Sequence, residues 1–248
     1  MLDKEAGIES KNIFKVFKWL KYKFKFYRDN PDYFVPDGLL VFVGSQGSGK
    51  TLSAVNYVYR LVKKYPKSII VTNLDLKDYP IDNIKVFRFR NNDDFMRYNN
   101  EMRGVIFLID EIQLYLNSLE SKNINIEVMT QIAQQRKQRK HIISTSQVFG
   151  RMAKPLREQF SSVIVCKCMF GCFQFNRLID KDSIDGEVAT GTNLTGKVIK
   201  RFFWVHDPDM YQRYDTYVVI DKNKYVSGEG QKGGLYDGYD IIVNTDNS

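Results

Sequence analysis

The sequence predicts an α/β fold built on a mostly parallel central sheet, and three observations carry that expectation. A short apolar run, Leu39-Leu40-Val41-Phe42-Val43, is entered from the turn Pro36-Asp37-Gly38. It leads through a glycine-rich loop into Leu52 to Lys64, where Leu52, Val55, Val58, Leu61 and Val62 recur at helical spacing. A second apolar run, Val105 to Ile109, ends in two carboxylates, Asp110 and Glu111. That is the form of a strand buried on both faces with its C-terminal tip at a ligand crevice. Past Phe170 the pattern changes to alternating aromatic segments, Phe173 to Ile179, Lys197 to Val205 and Asp215 to Ile220, joined by polar turns. These read as antiparallel hairpins appended to the sheet.

The loop between the first strand and helix is Gly44-Ser45-Gln46-Gly47-Ser48-Gly49-Lys50-Thr51. It fills every fixed position of the pattern G-x-x-x-x-G-K-[ST], and the strand before and helix after it are the context that pattern needs. Gly44 and Gly49 allow backbone angles that a Cβ would oppose, while Gly47 and Ser48 are small enough for a phosphate to come close. Successive N–H groups then converge at the positive end of the helix and form an anion site. Lys50 is placed to reach the β- and γ-phosphates of ATP, and Thr51 to hold Mg²⁺. Asp110 is the second candidate Mg²⁺ ligand, directly or through water, and Glu111 the candidate to orient and activate the attacking water.

The remaining elements follow in order. Ile13 to Tyr27 interleaves aromatics with lysines. On a helix Ile13, Val16, Phe17, Leu20, Phe24 and Tyr27 share one face, and Lys15, Lys18, Lys21 and Lys25 lie on the other side. Three roles fit this basic amphipathic helix: packing on the core or a neighbouring subunit, lying on an anionic membrane surface, or gripping nucleic acid. Further strands are expected at Ser68 to Thr72, Ile84 to Phe89, His141 to Gln147 and Ser161 to Cys168, with helices at Asn91 to Asn100 and Asn123 to Gln138. Gln147 stands at the polar tip of its strand, where it can touch the γ-phosphate, position water, or simply satisfy a strand end. The domain scheme that results is 1–37 for the basic segment and linker, 38–169 for the nucleotide-binding core, 170–226 for the β appendage, and 227–248 for a flexible, Gly-, Asp- and Asn-rich tail.

Bulk properties narrow the classes. The 248 residues suffice for one large domain, and the net charge of +8 favours an anionic partner, nucleic acid or a membrane surface, over mere solubility. The 3 cysteines, Cys166, Cys168 and Cys172, are no disulfide framework and point to a reducing, cytoplasmic interior. Their C-x-C-x₃-C spacing lacks a fourth zinc ligand, since neither His141 nor His206 stands at a ligand spacing, so they read as small core residues. The N-terminus opens on acidic and polar residues rather than a secretory leader, and no apolar run reaches the length of a membrane span.

Taken in order, GSQGSGKT, the strand leading to Thr72-Asn73, VIFLIDEIQ, the basic RKQRKH, a strand ending in Ser146-Gln147, and Pro155-Leu156-Arg157 resemble a known group. These are the P-loop ATPases related to the zonular occludens toxin proteins of filamentous phages, within the FtsK/HerA clade of DNA-pumping and virus-packaging ATPases. The resemblance covers about residues 38–165 and, more loosely, Tyr214 to Tyr217. It implies a RecA/FtsK-like fold with helices on both faces of the sheet, and a homo-oligomer, a hexameric ring with ATP at the subunit interfaces. It also implies catalytic roles for Lys50, Glu111 and Gln147, and an arginine, Arg157, offered to the neighbouring subunit's nucleotide. Arg136, Arg139 and Arg151 are rivals for that role.

One branch of that family carries a membrane span after the ATPase domain, and none is visible here, which favours a packaging motor over membrane-spanning extrusion. Two functions from different classes result. One is an ATP-driven motor that moves viral or mobile-element DNA in packaging or export. The other is a phage morphogenesis ATPase acting on coat or pore proteins, docked peripherally on the inner membrane through residues 13–27. A small-molecule kinase fits less well, because the Asp110-Glu111 pair after a strand favours hydrolysis.

Overall fold

The computed structural model describes residues 13–82, 84–116, 126–184, 194 and 196–215. Two units are distinguished within the chain, residues 1–33 and 34–248. The first contains helix α1 (Ile13–Asp29). Within it Phe26 meets Tyr33 edge-on at 4.7 Å, with Tyr22 and Tyr27 beside it. The contacts therefore centre on Phe26, outside the face expected from the helical spacing, while Phe17, Leu20 and Phe24 of that face are exposed.

The second unit contains β1 (Leu39–Val43), α2 (Lys50–Lys64), β2 (Ile69–Thr72), β3 (Asp75–Leu76), β4 (Val86–Arg88), α3 (Asp94–Arg97) and β5 (Val105–Ile109). It continues with α4 (Ile126–Ala133), β6 (Lys140–Ser146), α5 (Lys154–Gln159), β7 (Phe160–Met169), β8 (Phe173–Ile179), β9 (Val198–Val205) and β10 (Tyr214–Asp215). An eight-stranded sheet runs in the order β4-β2-β5-β6-β1-β7-β8-β9. From β4 to β7 every pairing is parallel, and β8 and β9 are antiparallel additions. The expected α/β fold with an antiparallel appendage is the observed one.

Successive residues of a strand point to opposite faces, so the apolar runs are continuous because both faces are covered. Leu39, Val41 and Val43 join Phe107, Val128, Ile132 and Leu156 in one layer, with α4 and α5. Leu40 and Phe42 join Ala54, Val55, Val58 and Val62 of α2 in the other. Emptying the first layer at Phe107, which is fully buried, would cost about 3–5 kcal/mol on truncation to alanine.

Several expected elements come out shorter. The helix expected at Asn91 to Asn100 reduces to α3, and the strand at Ile84 to Phe89 to β4. The helix expected at Asn123 to Gln138 is α4. It ends at Ala133, and the basic run after it forms turns. Arg136, Arg139 and Lys140 then donate to the carbonyls of Asp37, Phe34 and Phe95. These cations are satisfied by backbone at the N-terminal ends of β1 and β6. Burial lowers the Lys140 ammonium to about 8.

A small second sheet, β3 with β10, was not expected from the sequence. It is pinned to α2 by the Tyr59 hydroxyl, which reaches the carbonyls of Lys77 and Arg213. The strand expected at Asp215 to Ile220 begins with β10, and its remainder, like the tail from Ser227, lies outside the described residues.

Candidate active site

Parallel strands end together, and here the tips of β1, β6 and β5 lie side by side. Register pairs Val43 with Ser146 and Ile109 with Ser144. The loop after Val43, the carboxylates after Ile109 and Gln147 after Ser146 therefore collect at one edge of the sheet, the crevice where ligands bind in such folds.

The loop Gly44 to Gly49 wraps ahead of α2. Gly47 takes φ 74° and Gly49 φ 77°, angles that side chains oppose. At Gly47 the demand is thus conformational, since a Cβ there would meet nothing within 4 Å. Lys50 is buried, and its Nζ donates back across the loop to the Ser45 carbonyl at 3.2 Å. The Ser48 hydroxyl is buried without a hydrogen-bond partner among the described residues. A spare hydroxyl, a lysine ammonium and a helix N-terminus at one point make a cradle for a phosphate chain.

Facing the loop is a network centred on Asp110. The Thr51 hydroxyl donates to Asp110 Oδ1 at 2.9 Å, and the Thr145 hydroxyl donates to the same oxygen at 2.7 Å. Thr145 Oγ also accepts the backbone N–H of Glu111 at 2.9 Å. Asn73, at the tip of β2, pairs with the Asp110 peptide in both directions, donating to its carbonyl at 2.9 Å and accepting its N–H at 2.8 Å. Burial raises the Asp110 carboxyl above its usual range, and the hydrogen bonds from Thr145 and Thr51 pull it back. Thr51 and Asp110 present a hydroxyl and a carboxylate at one point, an oxygen donor set that suits Mg²⁺.

Glu111 has φ 51°, a left-handed backbone that costs a non-glycine residue about 1–3 kcal/mol. The Gln113 amide donates to its carboxylate. The strain turns the Glu111 side chain out of the strand line, at the mouth of the crevice where a water beside the γ-phosphate would lie. Gln147 is half-buried, directly after β6, between the loop and the carboxylates.

The four candidate arginines separate. Arg157 sits in α5, ahead of Phe160, which pairs with Leu39 at the start of β1. It therefore lies a strand's length from its own chain's loop, and its Nε is buried without a partner among the described residues. Arg136 and Arg139 occupy the same end. Arg151 is exposed in the single helical turn after the tip of β6, at the loop's end of the sheet.

Three residues that the sequence pattern did not single out belong to this site: Thr145, Gln113 and Gln174. The first was signalled by the polar tip Ser144-Thr145-Ser146. Gln174 gave no such signal. In β8 the alternation Phe173-Gln174-Phe175-Asn176 suggests aromatics inward and amides outward. The reverse is found: Gln174 is fully buried and Asn176 nearly so, while Phe173 and Phe175 are exposed. The Gln174 amide donates to the Ser48 carbonyl at 3.0 Å and to Asn176, and Asn176 donates to Ser53 Oγ in α2 at 3.1 Å. His206 Nε2 lies 3.0 Å from Gln174 Oε1, and its other ring nitrogen meets Tyr211. The inner face of β8 is polar because it holds the phosphate loop from behind.

The cysteines lie apart from this chemistry. Cys166 is buried, its thiol pushed up to about 12 by burial, and Cys168 shares its face of β7. Among the described residues no group of three metal-ligating side chains forms, and no helix is long and apolar enough to cross a membrane.

No family model and no curated protein matches the chain. Among solved structures it is similar to the N-terminal domain of zonular occludens toxin from Neisseria meningitidis, at 15% identity over 72% of this chain and 98% of that one, TM-score 0.45. It is also similar to the genome packaging NTPase B204 from Sulfolobus turreted icosahedral virus 2, in complex with ATP-gammaS, at 16% identity over 52% and 74%, TM-score 0.41. A third similar structure is a separately solved ATPase domain, at 11% identity over 83% and 99%, TM-score 0.47. The first two are of the groups whose motif order the sequence resembles. At these identities what this chain does rests on its own site.

Proposed function

We propose that this protein is an ATP hydrolase that moves viral or mobile-element DNA, working as a ring of identical subunits. The observation that carries hydrolysis is the network joining Thr51, Asp110, Thr145 and Glu111 across the tips of three elements. It puts a cation-binding pair and a carboxylate base on one rigid frame beside the phosphate loop. Lys50 neutralises the β- and γ-phosphates, Glu111 takes the proton of the attacking water, and Gln147 orients that water or the γ-phosphate. Mg²⁺ held by Thr51 and Asp110 would supply charge neutralisation between the phosphates. An arginine from the next subunit, Arg157 or its rival Arg151, completes the site in the ring.

Lys50→Ala is expected to abolish nucleotide binding, measured with a fluorescent ATP analogue. Glu111→Gln is expected to bind ATP as the parent does and to hydrolyse it slower by several orders of magnitude. Rapid turnover in Glu111→Gln would remove that residue from the catalytic role.

A second reading keeps the ATPase and changes the cargo to coat or pore proteins at a membrane surface. Helix α1 favours it, being basic, aromatic and part of a separate unit. Liposome binding that is lost on deleting residues 13–27, with no effect of DNA on turnover, would select it.

A further inference from the structure

The antiparallel half of the sheet has two unlike faces. The inner face is occupied by Gln174 and Asn176 holding the phosphate loop. On the outer face, register places Lys167, Phe175 and Phe203 in one row across β7, β8 and β9. Phe173 lies in the row on one side, and Arg177 with Arg201 in the row on the other.

The three phenylalanines are 36%, 39% and 58% exposed for Phe173, Phe175 and Phe203. Their rings form one platform: Phe173 and Phe203 stack at 6.0 Å and 14°, and Phe175 and Phe203 lie 4.9 Å apart. Lys167, Arg177 and Arg201 are exposed around them, and no aspartate or glutamate occurs in any of the three strands. An alternating strand ordinarily buries its aromatics and exposes its amides. Here the inversion leaves clustered rings in water, and an exposed ring cluster marks an interaction surface.

We propose that this outer face binds single-stranded nucleic acid, with bases stacking on Phe173, Phe175 and Phe203 and phosphates held by Lys167, Arg177 and Arg201. The charge sets the class of partner: a surface with cations alone attracts a polyanion. The rings select within that class. Paired and stacked bases of a duplex offer no face to a phenyl ring, whereas unpaired bases splay onto flat aromatic side chains on a sheet. A base bound there lies one residue, in β8, from Gln174 and so from the phosphate loop. The proposal deepens the motor reading and rests on nucleic acid being the cargo.

The test is fluorescence anisotropy of the full chain with a labelled oligothymidine, with a duplex of the same length, and with vesicles of mixed phosphatidylserine and phosphatidylcholine followed by sedimentation. Three proteins are compared: the parent, Phe173→Ala with Phe203→Ala, and Lys167→Gln with Arg177→Gln and Arg201→Gln. Residues 13–27 are unchanged in all of them, so their contribution cancels. Nucleotide binding on the same samples confirms that each variant is folded.

The phenylalanine variant is expected to lose about ten- to a hundredfold in oligothymidine affinity and little in duplex affinity. The cation variant is expected to weaken both and to flatten the salt dependence. Oligothymidine binding unchanged in the phenylalanine variant would overturn this inference and leave the motor reading standing. A loss of vesicle binding or of oligomer mass in place of oligothymidine binding would overturn it in favour of a lipid or subunit contact. A parent that binds neither oligonucleotide would overturn both readings.

Discussion

Asp110 is placed by its neighbours before any ion is bound. Two threonine hydroxyls from different elements meet one of its oxygens, and Asn73 holds its peptide from both sides. Asn73→Ala would leave a buried N–H and a carbonyl unpaired, each costing about 1–3 kcal/mol. The expected outcome is a lower melting temperature together with a fall in kcat larger than the loss of ATP affinity, because the same peptide positions Asp110 and Glu111. Equal stability and unchanged kcat would show that Asn73 is dispensable. Lys50, Thr51, Asp110 and Glu111 were legible in the sequence because each sits in a short motif whose residue types the chemistry dictates. Thr145 and Gln113 were not, since their roles depend on which strand tips become neighbours.

At the scale of elements, the core strands could be read from their apolar runs, because a parallel strand covered on both faces has no other composition. The boundaries of α3, α4 and β4 could not, because the polar residues that close them serve equally well inside a helix or a turn. The orientation of β8 was also not legible: alternation fixes which residues share a face but not which face is inward. The buried amides decide it, through the phosphate loop that they support. Gln174→Leu is expected to raise KM for ATP by about tenfold with a smaller change in kcat, since a loop that loses a hydrogen-bond partner binds phosphate less well. Gln174→Glu should fail to rescue it, having no N–H to donate to the Ser48 carbonyl. Gly49→Ala should lose nucleotide binding, because a Cβ there would stand 2.1 Å from Gln174 Oε1 on a backbone at φ 77°. Rescue by Gln174→Glu, measured as ATP affinity, would dismiss the hydrogen bond as the cause.

At the scale of the whole molecule, the site is built for a neighbour. No arginine is drawn into the Thr51–Asp110–Glu111 network within the described residues, and the two open candidates stand at opposite ends of the sheet. Arg157→Ala or Arg151→Ala, whichever supplies the missing charge, should spare ATP binding by isolated chains and cut turnover in the assembled ring by about 10³-fold or more. Mixing either variant with Glu111→Gln subunits should restore part of the turnover at interfaces where an intact arginine meets an intact glutamate. The amphipathic α1 and the basic outer face of β8 and β9 give the molecule two further surfaces suited to polyanions. The measurement that tests the central claim most directly is the ATPase rate of the full chain with and without DNA, in a sample whose native mass shows an oligomer. A DNA-driven motor predicts hydrolysis that rises severalfold with DNA and vanishes in Glu111→Gln. A rate indifferent to single- and double-stranded DNA in that oligomer would contradict it.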